Sequence, residues 1–191
     1  IFNGNGYSDE WLEEAARRGL PNLVSTVDAL PHYMDPQNIA MFEKFHVYTK
    51  EEIASRTDIL LENYSKVINI EAMTMLDMTK KKLLPAAMEY GKKICDTAIA
   101  KKQLGLDASA ETKLAADLDS NTAKMYEAMQ ALESKVNAAK EIGDVLECAK
   151  AYRSQVFSAM GNLRTYADQL EMLVSAEDWP LPPYSDLLFN V

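Results

Sequence analysis

The sequence has 191 residues, 48% of them hydrophobic and 26% charged, which suits one globular domain, with or without an appendage, whose core needs no disulfide or metal staple. Lysine and arginine number 20 against 29 aspartates and glutamates, a formal charge of −9, so there is no basic field to neutralise phosphates, and both nucleic acid and anionic membrane are set aside as partners. Seven glycines and seven prolines exclude collagen-like and low-complexity chains, and no apolar run approaches the ~20 residues that span a bilayer.

The first fifty residues are punctuated by turn signals. Asn3-Gly4-Asn5-Gly6 is a turn, Ser8 caps a short helix with Asp9 and Glu10 at its positive end, Arg17 and Arg18 suit its negative end, and Gly19 stops it. Thr26 or Asp28 opens a further turn ending at Pro31, and Asp35 before Pro36 starts a helix reaching about His46. At Thr49 the character changes. Thr49 and Glu52 form a capping box, and apolar residues then recur at Ile53, Leu60, Leu61, Tyr64, Val67, Ile68, Met75, Leu76, Leu83 and Leu84 with no glycine before Gly91.

This predicts one long helix reaching Gln103, with a kink at Pro85, which has no N–H and clashes with the carbonyl of Lys81. Gly105 ends it, and Asp107 or Ser109 caps the next. Leu114, Leu118, Asn121, Met125, Ala128, Leu132 and Ala139 form a second stripe. After Gly143, Asp144 caps a third, which carries Val145, Cys148, Tyr152, Val156, Ala159, Leu163, Tyr166, Leu170 and Leu173. Short connections imply antiparallel neighbours. The expected fold is therefore all-α: an antiparallel bundle of three long helices with an irregular N-terminal region of short helices. The segment from Trp179 to Tyr184 carries three prolines and reads as non-helical. Its aromatic and apolar content predicts that it docks on this chain or on a partner.

Residues that could carry chemistry are few. A di-metal carboxylate site in a bundle needs two Glu-x-x-His pairs; Glu43 and His46 form one, and His32 is the only other histidine. Glu43 and His46 therefore read as an ordinary helix end. The loop Asn3–Gly6 could cradle a phosphate before a helix, but it has neither the Walker lysine nor a surrounding strand-helix-strand unit, and it reads as a plain turn. Cys95 and Cys148 lie on helical stripes as small buried hydrophobes and imply a reduced, intracellular chain. Asn63-Tyr64-Ser65 matches a glycosylation sequon in mid-helix, where it reads as chance. Lys80-Lys81-Lys82 reads as a solvated face, and Met73, Met75, Met78 and Met88 as core filler. No catalytic, cofactor-binding or metal-binding residue is assigned. The opening at Ile1, without Met or a signal-peptide pattern, suggests a piece of something larger.

Several segments carry a family resemblance. The opening from Ile1 to Trp11 (Ile-Phe-Asn-Gly-Asn-Gly-Tyr-Ser-Asp-Glu-Trp), then Arg18-Gly19-Leu20-Pro21-Asn22-Leu23 and Thr26-Val27-Asp28-Ala29-Leu30-Pro31, resembles the C-terminal part of type III glutamine synthetases. Leu61-Glu62-Asn63-Tyr64 and Asn69-Ile70-Glu71-Ala72 resemble the same family. So does the ending from Trp179 to Phe189, which has Pro183 and Ser185 where the family more usually has Thr and Gly. From about Cys95 to Ser175 the likeness is mainly one of helical pattern.

The resemblance implies a parent that makes glutamine from glutamate, ammonia and ATP with Mg or Mn. It implies that the catalytic motifs precede Ile1, so that this chain alone holds no cofactor and is inactive. It further implies a cytoplasmic homo-oligomer in which the chain contacts the remainder of its polypeptide and neighbouring subunits. Residues 1–48 would continue the catalytic part, 49–175 form the bundle, and 176–191 form a docking tail. Tyr7, Trp11, Trp179, Tyr184 and Phe189 at the two ends either pack on that remainder or cap the bundle. The other reading is an independent helical interaction module with no catalytic parent.

Overall fold

The computed structural model describes residues 3–182 and 184–189, with the side chains of Tyr184, Ser185 and Phe189 outside the description. Among the described residues it is helical throughout, with no strand. The chain packs as two units, residues 1–61 and 62–191.

The first unit contains α1 (Asp9–Arg17), α2 (Thr26–Ala29) running into a 3-10 turn (Leu30–Met34), α3 (Pro36–Lys44) and the beginning of α4 (Lys50–Met78). Its starts and stops follow local chemistry, with three departures from expectation. Ser8 stands at the N-terminus of α1, but its hydroxyl donates to the Asn5 carbonyl at 2.9 Å instead of capping the helix. The cap of α2 is Ser25, not Thr26 or Asp28: Ser25 Oγ accepts from the Asp28 N–H at 3.2 Å, and the turn continues through Pro31 to Met34. Asp35 precedes α3, but its carboxylate is taken by His32 Nδ1 at 2.8 Å, and no side-chain cap bond forms.

Gly19 adopts the left-handed conformation that ends α1. At the end of α3 the same role falls to His46, with φ of 54°. There the Val47 N–H closes back on the Phe42 carbonyl at 2.9 Å. The capping box forms as expected: Thr49 N–H donates to Glu52 Oε2 at 2.8 Å, and Glu52 N–H to Thr49 Oγ1 at 3.3 Å.

The second unit holds the rest of α4, α5 (Leu84–Gln103), α6 (Ser109–Lys140), α7 (Val145–Ala151), α8 (Phe157–Glu171) and a terminal turn of helix, α9 (Tyr184–Phe189). Connections over 104–108 and 141–144 fold α5 against α6 and α6 against α8, so neighbours run antiparallel. Gly105, with φ of 73°, ends α5. Asp107 acts two residues before the start of α6, accepting the Ser109 N–H at 3.0 Å, and Asp144 caps α7 by accepting the Glu147 N–H at 2.9 Å. One core runs through this unit. Leu118, Met125, Leu132, Val136, Val156, Leu163 and Leu170 are at most 1% exposed, joined by Ile68, Ala72 and Leu76 of α4 and Leu83, Leu84 and Ala87.

One feature of α4 corrects the sequence reading, and a second adds to it. Leu60 and Val67 are exposed, while Thr57 and Ser65 are buried. The buried path steps by four through Ile53, Thr57, Leu61 and Ser65, then continues at Ile68, Ala72 and Leu76, so Leu60 and Val67 sit about 100° round from it. Thr57 bears its burial because its hydroxyl donates to the Ile53 carbonyl at 2.9 Å. Just before Pro85, where the sequence predicts a kink, the helix opens into a π-turn over Thr79–Leu83, closed by the Leu84 N–H on the Thr79 carbonyl. The wide turn lies directly upstream of the position where proline withdraws a donor, which places both Leu83 and Leu84 in the core. A second π-turn, Tyr152–Val156, lies between α7 and α8.

Leu163→Ala should lower stability by about 2–5 kcal/mol, because the side chain is 1% exposed and its deletion leaves a cavity. Thr49→Ala should cost about 1 kcal/mol through loss of the capping box. Chemical denaturation followed by circular dichroism measures both.

Candidate functional site

None of the residues singled out for chemistry is assembled into a reactive constellation. Glu43 and His46 are both exposed at the end of α3, and His32 is engaged by Asp35. Among the described residues no group of three or more histidine, cysteine and acidic side chains is placed to hold a metal ion. In the loop Asn3–Gly6 the amides at its helix-facing end are already used: Tyr7 N–H donates to Asn5 Oδ1 at 3.0 Å and Ser8 N–H to the Asn5 carbonyl at 3.2 Å. A phosphate would have to displace both. No step of phosphoryl transfer is assigned to these residues.

Cys148 is half-buried, with Sγ 3.5 Å from the Ala139 carbonyl, but Cys95 is exposed rather than buried as its stripe position implied. Asn63, first residue of the sequon, is exposed inside α4. The lysine run is a solvated face: Lys80 pairs with Glu133 at 2.7 Å, and Lys81 pairs with Asp77. Of the methionines read as core filler, Met75 packs against the core. Met73 and Met88 are exposed, and Met75 and Met78 are half-buried beside a groove formed with α8 and the tail.

Two local arrangements stand out that sequence reading passed over. One holds the tail. Ser175 and Asp178 exchange hydrogen bonds, Ser175 Oγ to Asp178 Oδ2 at 2.7 Å and Asp178 N–H to Ser175 Oγ at 3.2 Å. Lys93 Nζ reaches Asp178 Oδ1 at 2.5 Å. The turn so fixed inserts Trp179 into the core, where it is 8% exposed, and Leu181 packs beside it. The tail therefore caps the bundle through Trp179. Leu187 and Leu188 of α9 remain exposed, and Tyr184 and Phe189, expected to dock, lie outside the described side chains.

The Lys93 ammonium first, and the Ser175 hydroxyl second, hold the Asp178 carboxyl below the usual carboxylate range. Lys101 likewise lowers Glu111, and the Thr49 amide and hydroxyl lower Glu52. Burial, together with nearby Cys148, raises the Tyr152 phenol, whose hydroxyl donates to Asn69 Oδ1 at 3.2 Å.

The other arrangement is an aromatic groove of about 310 Å³ in the first unit. Phe42 lies between Tyr33 and Tyr48, with ring centroids 6.3 and 5.8 Å away. The guanidinium of Arg56 stacks 4.4 Å from the centre of the Tyr48 ring, and Ile53, Ile59 and Leu60 complete the wall. Arg56 lies four residues after Glu52 of the capping box, a spacing visible in the sequence. The aromatic partners come from separate turns, and nothing local announces them.

Fold and surface together define the class: an all-α bundle joined to a small-helix unit, with no helix among the described residues long and apolar enough to cross a membrane. The glutamine synthetase C-terminal domain model matches residues 1–102, more than half of the chain. Similar proteins include a glutamine synthetase of Butyrivibrio fibrisolvens, 40% identical over 193 residues, which covers 100% of this chain and 28% of that protein. A glutamine synthetase of Bacteroides fragilis (strain YCH46) and a type-3 glutamine synthetase of Dictyostelium discoideum are each 31% identical over 195 residues, covering 99% of this chain and 27% and 26% of theirs. The chain belongs to the glutamine synthetase C-terminal domain family and corresponds to the C-terminal part of glutamine synthetase-like proteins. It spans about a quarter of the length of the relatives it matches.

Because the native state lowers the Asp178, Glu111 and Glu52 carboxyls, their contribution to stability is present above the unfolded carboxylate range near pH 4 and is lost as pH falls through the lower native values. The melting temperature should fall between about pH 5 and pH 2, and Asp178→Asn should flatten part of that fall while lowering the midpoint at pH 7. Truncation after Ala176 should lower the melting temperature by several degrees, since it removes Trp179 from the core.

Proposed function

We propose that this chain is the C-terminal part of a type III glutamine synthetase, an ATP-dependent ligase that forms glutamine from glutamate and ammonia with Mg or Mn. In this reading the chain supplies packing within and between subunits, and the chemistry belongs to the rest of the polypeptide. The observation that carries it is 40% identity sustained over the whole chain to a glutamine synthetase of which it covers 28%. Residues 1–48 then continue the catalytic part, 49–175 form the bundle and 176–191 the docking tail, in a cytoplasmic homo-oligomer. What the described side chains offer agrees with this division. They make caps, ion pairs and apolar seams, and the Tyr7 and Ser8 amides beside the Asn3–Gly6 turn are bound within the chain.

The test is enzymatic. The full-length protein should form glutamine from glutamate, ammonia and MgATP, and residues 1–191 alone should not. Activity of the separate chain would refute the packing role, and a full-length protein with no such activity would refute the family function.

A further inference from the structure

The two units differ in how much of their apolar surface is covered. Among the described residues of 1–61, only Val27, Leu30, Ile53 and Leu61 are buried hydrophobics, while eleven large hydrophobic side chains are exposed. In 62–191 the balance reverses, with 16 large hydrophobic side chains buried and 12 exposed. Exposed single residues are ordinary, but a unit with nearly three uncovered for each one buried lacks a core of its own. The uncovered side chains include the wall of the aromatic groove: Ile59 is 61% exposed, Leu60 47% and Tyr33 46%. At its rim Arg56 stacks on the Tyr48 ring and acts on the Glu52 carboxylate one turn earlier, without closing an ion pair with it.

We infer that this groove seats the catalytic part of the same polypeptide, receiving an apolar or aromatic side chain between Tyr33, Tyr48 and Ile59, with a carboxylate of that segment beside Arg56. This rests on the reading of the chain as the C-terminal part of a longer ligase. The matched relatives are more than three times as long as the stretch they share with this chain, so most of each lies outside it. A segment on the same polypeptide meets the groove at an effective concentration on the order of millimolar, well above that of a second copy at ordinary protein concentrations. The arginine favours an acidic occupant, since Glu52 closes no ion pair with it and a guanidinium desolvated by an approaching apolar surface needs a carboxylate in contact.

The experiment uses the full-length protein carrying the photoreactive residue p-benzoylphenylalanine in place of Ile59, with the same substitution at Leu104, 76% exposed in the other unit, as reference. After irradiation, a denaturing gel and peptide mass spectrometry should show an intrachain cross-link at monomer mass. Its partner peptide should lie outside residues 1–191, be apolar and carry an aspartate or glutamate. The yield should be at least fivefold that at Leu104. A band of doubled mass would make the occupant a second copy and overturn the inference. So would a partner peptide within residues 1–191, a basic or wholly polar partner, or a yield no higher than the reference. Should the Ile59 variant not be recovered folded, the same substitution at Tyr33 on the opposite wall gives the same readout. Glutamine formation by the unmodified full-length protein is measured in parallel. Activity without the expected cross-link sinks only the docking inference, and no activity sinks the functional reading beneath it.

Discussion

The second unit depends on one register: the path of burial along its helices. On α6 it runs through Leu118, Met125, Met129, Leu132, Val136 and Ala139, and on α8 through Ala159, Leu163 and Leu170. These spacings alternate so that the apolar stripe stays on one side of a 3.6-residue helix. Where the path meets a proline, a π-turn shifts it by one residue instead of breaking it, and Leu83 and Leu84 both stay inside. Caps, ion pairs and the tail are arranged around that seam. Trp179 closes one stretch of it and is held there by the Ser175–Asp178–Lys93 turn.

Most ion pairs among the described residues are local in sequence. Ion pairs such as Lys66–Glu62 and Lys150–Glu147 lie one helical turn apart on exposed faces, where each contributes only a few tenths of a kcal/mol. Lys80–Glu133, Lys93–Asp178 and Lys101–Glu111 join different elements. For a chain of net charge −9, this local pairing offsets part of the repulsion without creating a concentrated field.

The two units differ in how far they cover their own apolar surface. Residues 62–191 satisfy their own apolar surface, whereas residues 1–61 present aromatics and aliphatics that their own short helices cannot cover. A unit of three short helices has too little length to bury both sides of an aromatic cluster, so Tyr33, Phe42 and Tyr48 form a groove rather than a core. That geometry suits a segment whose packing is completed by other parts of a longer protein.

Local chemistry was legible in the sequence. Thr49–Glu52, Asp144, Gly19 and Gly105 each act within four residues of themselves, and the structure uses each at its expected place. The all-α class and most of the stripe on α6 and α8 follow from periodicity, because an apolar face repeating every three to four residues has no other economical arrangement. The choice of which neighbour is buried was not legible. Leu60 beside Leu61, Val67 beside Ile68, and Cys95 on its stripe were decided by the angular position of the partner helix, which let polar Thr57 and Ser65 inside and left larger apolar residues out. Asp35 could have capped α3 by sequence, but the fold brought His32 to its carboxylate first. The aromatic groove and the Lys93–Asp178 clamp join residues from different turns or from positions 85 apart, and only tertiary structure closes such distances. Sequence determines which bonds and faces each short segment can offer; the packing of helix against helix decides which of them are used, since burial depends on a rotation of about 100° per residue that no single segment can set alone.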